Sequence, residues 1–135
     1  MDSHVPASHR NLIVWQKAMA LAAQIYAASS RFPRHEIFGI TSQIRRAAVS
    51  IPSNVAEGAA RGGTREFLAF LYIARGSQAE VETQLRLACS FGYLDANQST
   101  ILLADTDEVG RLLTAMIYAL RKRLPCKASS LSAIR

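Results

Sequence analysis

The sequence predicts an all-α protein folded as an antiparallel up-down-up-down four-helix bundle. Half of its 135 residues are hydrophobic and only 7% are aromatic, with 7 glycines and 4 prolines, a composition that favours helices over turn-rich β structure. Four segments carry apolar residues at intervals of three and four, as amphipathic helices do. The links between these segments are short, so consecutive helices are expected to pack in opposite directions within one domain.

The first periodic segment covers residues 12–31. One apolar row along it consists of Leu12, Trp15, Met19, Ala22 and Tyr26. A second row beside the first consists of Ala18, Leu21, Ile25 and Ala28. Pro33 ends the helix because the residue before a proline is pushed out of helical geometry. This apolar surface is wider than one bundle core requires, which predicts that the helix also contacts a partner, most simply in a homo-oligomer.

The second segment covers residues 37–60 and carries an apolar stripe with helical spacing. Pro52 lies inside it, and an internal proline removes one backbone hydrogen bond, so we expect a bend near Ala48 to Pro52 within a single helix. No lysine follows the nearby glycines at the spacing of a phosphate-binding loop. They are interpreted as helix punctuation, at Gly58, Gly62 and Gly63.

Polar side chains recur at helical spacing along the second half of this segment. They are Ser50, Asn54, Glu57 and Arg61. Glu57 and Arg61 have the i,i+4 spacing of a favourable ion pair. Two interpretations remain open: the stripe is an ordinary solvated face, or its members form hydrogen bonds between helices or subunits next to the bend.

The third segment covers residues 64–91 and closes at Gly92, as helix C-termini commonly do. Gly76 lies in its middle, where glycine costs about 1 kcal/mol relative to alanine, so we expect another backbone to approach closely there. Asp95 and Gln98 resemble a capping box that opens the fourth helix.

Three regions follow from this pattern: a mobile N-terminal arm over residues 1–10, the bundle over residues 11–124, and a basic flexible tail over residues 125–135. The two cysteines, Cys89 and Cys126, do not form the framework of a small secreted protein, which favours free thiols in a reduced cytoplasm. No segment has the length and apolar character of a signal peptide or membrane span, so no membrane partner is expected.

The net charge of +6 is concentrated toward one end of the chain. Residues 1–108 hold ten basic and ten acidic side chains, whereas residues 109–135 hold six basic ones and no acid. In an up-down bundle the end of helix four lies beside the turn between helices two and three. We call the resulting cluster the basic pole, which comprises Arg61, Arg65, Arg121, Lys122, Arg123 and Lys127. Such clusters suit the phosphates of RNA or DNA, although helix C-termini and solubilising tails also favour cations.

Few other side chains are expected at this pole. Lys17 should lie beside it, with Glu57 and Glu66 as the opposing acids. Tyr118 is the only aromatic residue near the basic C-terminal turn in the sequence, so the aromatic stacking typical of single-strand binders is weakly represented.

No combination of residues suggests an enzyme. The Glu-x-x-His pairs of di-iron bundles are missing from the sequence. His35 beside Glu36 does not complete a metal coordination shell, and no serine or cysteine has an evident base partner. The sequence therefore predicts a non-catalytic protein without a metal or cofactor.

Three stretches carry a family resemblance: VWQKAMALAAQIY (14–26), QIRRAAVSIPSNVAEGAAR (43–61) and GSQAEVETQL (76–85). With them, residues 11–122 resemble the four-helix bundle proteins encoded within intervening sequences of bacterial 23S rRNA genes. This resemblance implies a cytoplasmic bacterial protein that forms a ring-shaped homopentamer. The residues at motif positions are expected to share the fold and assembly role of the family, and they are Arg45, Arg46, Pro52, Asn54, Glu57, Gly58 and Gly76.

The resemblance extends to the accessory variability determinant proteins of diversity-generating retroelements, which implies binding of nucleic acid and of a reverse transcriptase. Two functional hypotheses result. The first is a homo-oligomer that binds RNA or DNA phosphates through the basic pole. The alternative is a protein-binding scaffold or accessory subunit for an enzyme such as a reverse transcriptase, in which the charge only steers the encounter.

Overall fold

The computed structural model describes residues 8–125, which are helical and contain no strand. The α-helices in this range are α1 (Ile13–Ser29), α2 (Ile40–Ala60), α3 (Thr64–Ser90) and α4 (Ala96–Arg121). Short 3₁₀ turns precede α1 and α2, at His9–Asn11 and Arg34–Glu36. The predicted all-α class with four helices is confirmed. The predicted N-terminal arm and basic tail lie outside the described residues except for their inner ends.

Local sequence signals account for several helix ends. Asp95 caps α4: its Oδ1 accepts from the Gln98 amide at 2.7 Å, and Gln98 Oε1 accepts from the Asp95 amide at 3.2 Å. Gly62 and Gly92 follow α2 and α3 with φ angles of 84° and 81°, a left-handed conformation that favours glycine. The capping box and both terminating glycines are confirmed. Helix α2 is continuous across Pro52, which is buried.

Glu36 holds the start of α2. Its Oε1 accepts from the Ile40 amide at 3.4 Å, and its Oε2 accepts from the Tyr93 hydroxyl at 2.8 Å. The hydrogen bond from the Tyr93 hydroxyl lowers the pKa of the Glu36 carboxyl below its ordinary value of 4.5, and the hydrogen bond from the Ile40 amide lowers it by a smaller amount. This contact joins the loop before α2 to the loop after α3. Helix α2 therefore begins at Ile40, three residues later than the apolar stripe predicts.

The lowered pKa of Glu36 predicts a loss of stability in acid. A carboxyl whose pKa is lower in the folded than in the unfolded state contributes stability above its unfolded pKa, and that contribution disappears as the pH falls through the folded value. The difference in free energy of unfolding between the wild type and Glu36→Gln should therefore be constant near neutrality and shrink below about pH 5. Denaturant titrations at pH 7 and pH 3 measure it. Tyr93→Phe should weaken this pH dependence, and an equal difference at both pH values would contradict the prediction.

One face of each helix forms the core. In α1 this face is the second apolar row, with Leu21 and Ile25 each 1% exposed. The first row lies at the edge of the core: Leu12, Trp15 and Ala22 are half-buried against it, whereas Met19 and Tyr26 are each 46% exposed. The two rows are centred about 100° apart around the helix, so the second row faces the core directly and the first lies at its edge.

Polar contacts join the helices at several levels. They are Arg45 with Ser29 at 2.8 Å, Ser50 with Ser77 at 2.8 Å, Gln78 with the Thr106 carbonyl at 3.1 Å, and Lys17 with Glu108 at 3.6 Å. Asn54 also donates to Ser50 Oγ at 2.9 Å. The polar stripe of α2 therefore forms an interhelical hydrogen bond at Ser50, to which Asn54 donates from within α2, and an exposed ion pair at Glu57 and Arg61.

The close approach between helices occurs at Gly58. A Cβ placed there would lie 2.7 Å from the Phe70 Cβ and 3.3 Å from the Phe67 carbonyl oxygen, whereas a Cβ at Gly76 would meet nothing within 4 Å. The prediction of a close approach at Gly76 is therefore wrong within residues 8–125, and so is the assignment of Gly58 to helix punctuation. Helices α2 and α3 are joined by a short turn, which brings their backbones together near that turn.

Candidate nucleic-acid interface

Two cations of the basic pole flank the turn between α2 and α3. Arg61 follows α2, Arg65 is the second residue of α3, and both are exposed. Arg61 Nη2 lies 2.7 Å from Glu57 Oε2, and the guanidinium lies 5.1 Å from the centre of the Phe70 ring. This exposed ion pair offsets part of the Arg61 charge. Arg65 forms no ion pair with an acid of the described residues.

Three more cations lie at the end of α4. Arg121 is its last residue, Lys122 and Arg123 follow, and all three are exposed. Arg121 Nη1 lies 3.4 Å from the Tyr72 hydroxyl of α3, and Lys122 Nζ lies 4.6 Å from the centre of the Tyr118 ring. Across residues 8–125, no acid pairs with these three side chains. Within residues 8–125 their charges are therefore not offset by an ion pair and can attract an anion that approaches this end.

Helix α3 separates the basic pole into two sides. Arg61 contacts Phe70, whereas Arg121 contacts Tyr72. Two residues correspond to a rotation of about 200° around a helix, so the two arginines lie on nearly opposite sides of α3. Arg61 and Arg121 thus lie at the same level of α3 but on different surfaces of the molecule. Lys127 lies outside the described residues.

Lys17 does not belong to this pole. Its Nζ lies 3.6 Å from Glu108 Oε2 on α4. Glu108 precedes Arg121 by 13 residues, or roughly 20 Å along the helix. The expectation that Lys17 lies beside the basic pole is therefore wrong. Lys17, in the second turn of α1, therefore contacts the middle of α4.

Tyr72 and Arg75 are candidate functional residues that the sequence analysis missed. The Arg75 guanidinium lies 5.2 Å from the centre of the Tyr72 ring, and its Nη1 lies 3.5 Å from Thr114 Oγ1 on α4. The statement that Tyr118 is the only aromatic residue near the basic turn therefore holds along the chain but not in space. We call this surface the α3–α4 patch, which comprises Tyr72, Arg75, Thr114, Tyr118, Arg121 and Lys122.

A second surface lies between α1 and α2. It is an apolar groove of about 520 Å³, to which α1 contributes Trp15, Met19 and Tyr26, and α2 contributes Val49, Pro52 and Ala56. Much of the first apolar row of α1 thus lines an open groove instead of the core. We call this surface the α1–α2 groove.

Two of the motif residues border this groove. Arg45 donates to Ser29 Oγ at 2.8 Å and lies 4.6 Å from the centre of the Tyr26 ring, so it fixes one end of the groove. Pro52 forms part of the groove wall. Arg46 instead lies on the other side of α2, in a polar depression shared with Glu80 of α3.

Residues 8–125 contain neither a membrane-spanning helix nor a cluster of metal-binding side chains. No helix there combines the length and apolar character that a membrane span requires. Nor do three or more histidine, cysteine, aspartate or glutamate side chains of that range come together in a metal-binding arrangement.

Comparison with known proteins gives a family and a fold. The sequence pattern of the family described as 23S rRNA-intervening sequence protein matches residues 10–115. The chain is similar to a crystal structure of a protein with unknown function from the S23 ribosomal protein family of Bacteroides thetaiotaomicron VPI-5482. The two share 25% sequence identity with a TM-score of 0.73, over 78% of this chain and 96% of the other. A search of curated proteins finds no match.

Proposed function

The chain belongs to the 23S rRNA-intervening sequence protein family, and from this premise we propose that it is a non-catalytic homo-oligomer that binds RNA or DNA phosphates through its basic pole. The observation that carries this proposal is the set of cations at the end of α4, which meet no acid of the described residues. Phosphate binding draws on the release of counterions, so it needs cations that are not already paired.

The proposal includes an up-down-up-down arrangement of the four helices. Contacts between α3 and α4 support it, because Arg121, Thr114 and Thr106 contact Tyr72, Arg75 and Gln78 in reverse order. In the same way Gly58 of α2 lies against Phe67 and Phe70, whereas Ser50 contacts Ser77. This arrangement gathers the end of α4 and the start of α3 at one end of the bundle.

The proposal also includes assembly through the α1–α2 groove into a ring, with five subunits as the family resemblance implies. The groove exposes large apolar side chains of α1 that a single bundle leaves uncovered. A ring repeats the basic pole around its axis. Several weak phosphate contacts then act together on one long ligand, which raises the overall affinity through effective concentration.

A binding titration tests the nucleic-acid part. We expect the full chain to bind a structured RNA at about 50 mM salt and to lose affinity by at least tenfold at about 200 mM. Fluorescence anisotropy with a labelled RNA measures both constants. No binding at low salt, or an affinity that does not change with salt, would overturn the proposal.

Light scattering tests the assembly part. The wild type should have a mass of several times the 14.8 kDa of one chain. Met19→Arg places a charge in the groove and should shift the mass toward that of one chain, with helix content unchanged. Leu87→Arg is the matched control because Leu87 is 43% exposed on α3, outside the groove. A monomeric wild type, or equal effects of both variants, would contradict groove-mediated assembly.

The alternative function is a scaffold or accessory subunit for an enzyme partner such as a reverse transcriptase. One observation favours it: Ile37 and Phe38, in the turn before α2, are 51% and 94% exposed. Side chains of this kind often mark protein contacts. A pull-down after nuclease treatment separates the two functions, since the scaffold retains its partner without nucleic acid and Phe38→Ser should release it.

A further inference from the structure

We propose that the α3–α4 patch binds the unpaired bases of single-stranded RNA or DNA, with Tyr72 and Tyr118 as stacking surfaces and the neighbouring cations as phosphate contacts. This inference rests on the proposed function and specifies its ligand. Single-stranded RNA and single-stranded DNA have this chemistry in common, because each is a flexible strand that offers base faces and phosphates together. A duplex offers phosphates and base edges along its outer surface, whereas its base faces are stacked inside.

The patch is one continuous surface built from two helices. On α4, Thr114, Tyr118 and Arg121 recur at intervals of four and three, which places them on one face. Two contacts join this stripe to α3. Arg121 reaches the Tyr72 hydroxyl at 3.4 Å, and Arg75 reaches Thr114 Oγ1 at 3.5 Å. The two tyrosines therefore belong to the same surface.

Both tyrosine rings are accessible. Tyr118 is 64% exposed and Tyr72 is 40% exposed. Each ring has one cation against it, with Lys122 Nζ at 4.6 Å from the Tyr118 centre and the Arg75 guanidinium at 5.2 Å from the Tyr72 centre. An aromatic ring flanked by a cation is the combination that binds a base by stacking and its phosphate by charge.

The surroundings of the patch leave room for a strand with negatively charged phosphates. Gly76 lies four residues after Tyr72, is exposed, and has nothing within 4 Å of where a Cβ would stand. A strand therefore has room to approach the α3 backbone beside the ring. The nearby acid Asp107 of α4 is paired with Arg111, and Glu80 of α3 faces α2. The patch itself contains no carboxylate, so none of its own side chains repels phosphates.

The test compares three probes of equal length with the full chain by fluorescence anisotropy at one salt concentration. They are a single-stranded oligonucleotide of mixed sequence, its duplex, and an abasic strand that keeps the phosphates but lacks the bases. We expect the base-containing strand to bind at least about fivefold more tightly than the abasic strand, because each stacked base adds affinity. DNA and RNA versions of the strand show whether the 2′-hydroxyl contributes.

Variants locate the effect. The double variant Tyr72→Leu/Tyr118→Leu keeps every charge and should reduce the preference for the base-containing strand to about that of the abasic one. Tyr72→Phe/Tyr118→Phe keeps the rings and should retain it. Phe91→Leu, an exposed aromatic beyond the end of α3, is the matched control. Circular dichroism verifies that each variant keeps its helices.

The outcomes separate this inference from the proposed function. If all three probes bind with equal affinity and the leucine variant changes nothing, phosphate binding stands and base stacking is wrong. Tighter binding of the duplex than of the single strand would also overturn the inference. If no probe binds even at low salt, both the inference and the proposed function fail.

Discussion

Replacing Arg121, Lys122 and Arg123 together by alanine is expected to weaken nucleic-acid binding by on the order of 10- to 100-fold near 100 mM salt. The three side chains are exposed, and no acid of residues 8–125 neutralises them. Each phosphate contact contributes about 0.7 to 0.9 to the slope of log K against log salt, so the slope should fall by about 2 to 3. Titration at four salt concentrations measures both quantities.

The matched control removes three charges from elsewhere. Arg31, Arg34 and Arg86 are also exposed arginines, but they lie near the end of α1, in the turn before α2 and near the end of α3. Their triple alanine variant should bind nearly as the wild type does. Equal losses in the two triple variants would show that net charge alone governs binding and would contradict a localised site. Thermal unfolding of both variants controls for the loss of cations at the C-terminus of α4.

Gly58→Ala is expected to lower the free energy of unfolding by about 1–2 kcal/mol net, because overpacking here costs toward the upper end of about 1–3 kcal/mol. The added Cβ would lie 2.7 Å from the Phe70 Cβ and 3.3 Å from the Phe67 carbonyl oxygen. The second of these is backbone, which yields only if α2 and α3 move apart. This cost exceeds the roughly 1 kcal/mol that alanine gains over glycine within a helix. Urea titration monitored by circular dichroism measures the change.

Gly76→Ala is expected to change the free energy of unfolding in the opposite direction. Gly76 lies midway along α3 and faces solvent, and an added Cβ there meets nothing within 4 Å. Only the helix propensity changes, so the variant should be more stable by about 0.5–1 kcal/mol. A destabilised Gly76→Ala would indicate that another chain packs against this position. A neutral or stabilising Gly58→Ala would show that α2 and α3 adjust their spacing at little cost.

Much of the fold could be predicted from local signals. The capping box at Asp95 and the glycines after α2 and α3 act within a few residues of the chain, so the sequence reveals them directly. The buried face of α1 could not be predicted in the same way. Both of its apolar rows have helical spacing, and only the packed neighbours decide that Leu21 is buried and Met19 exposed.

The charge of the candidate site could be predicted from the sequence, but the relative positions of its residues could not. The excess of basic residues after Val109 is a property of the sequence, and Arg121, Lys122 and Arg123 are indeed exposed together. The position of Lys17 was not predictable, because its pairing with Glu108 depends on how far α1 is displaced along α4.

Four amphipathic helices, most of their ends and a cationic C-terminal turn follow from periodicity, capping and composition within single segments of the chain. The contact of Gly58 with Phe67 and Phe70, and the position of Tyr72 and Arg75 beside α4, result instead from the packing of the helices. The physical reason is that such contacts depend on the relative rotation and displacement of two helices. Those two quantities follow from the packing of whole side-chain faces, which no single segment contains.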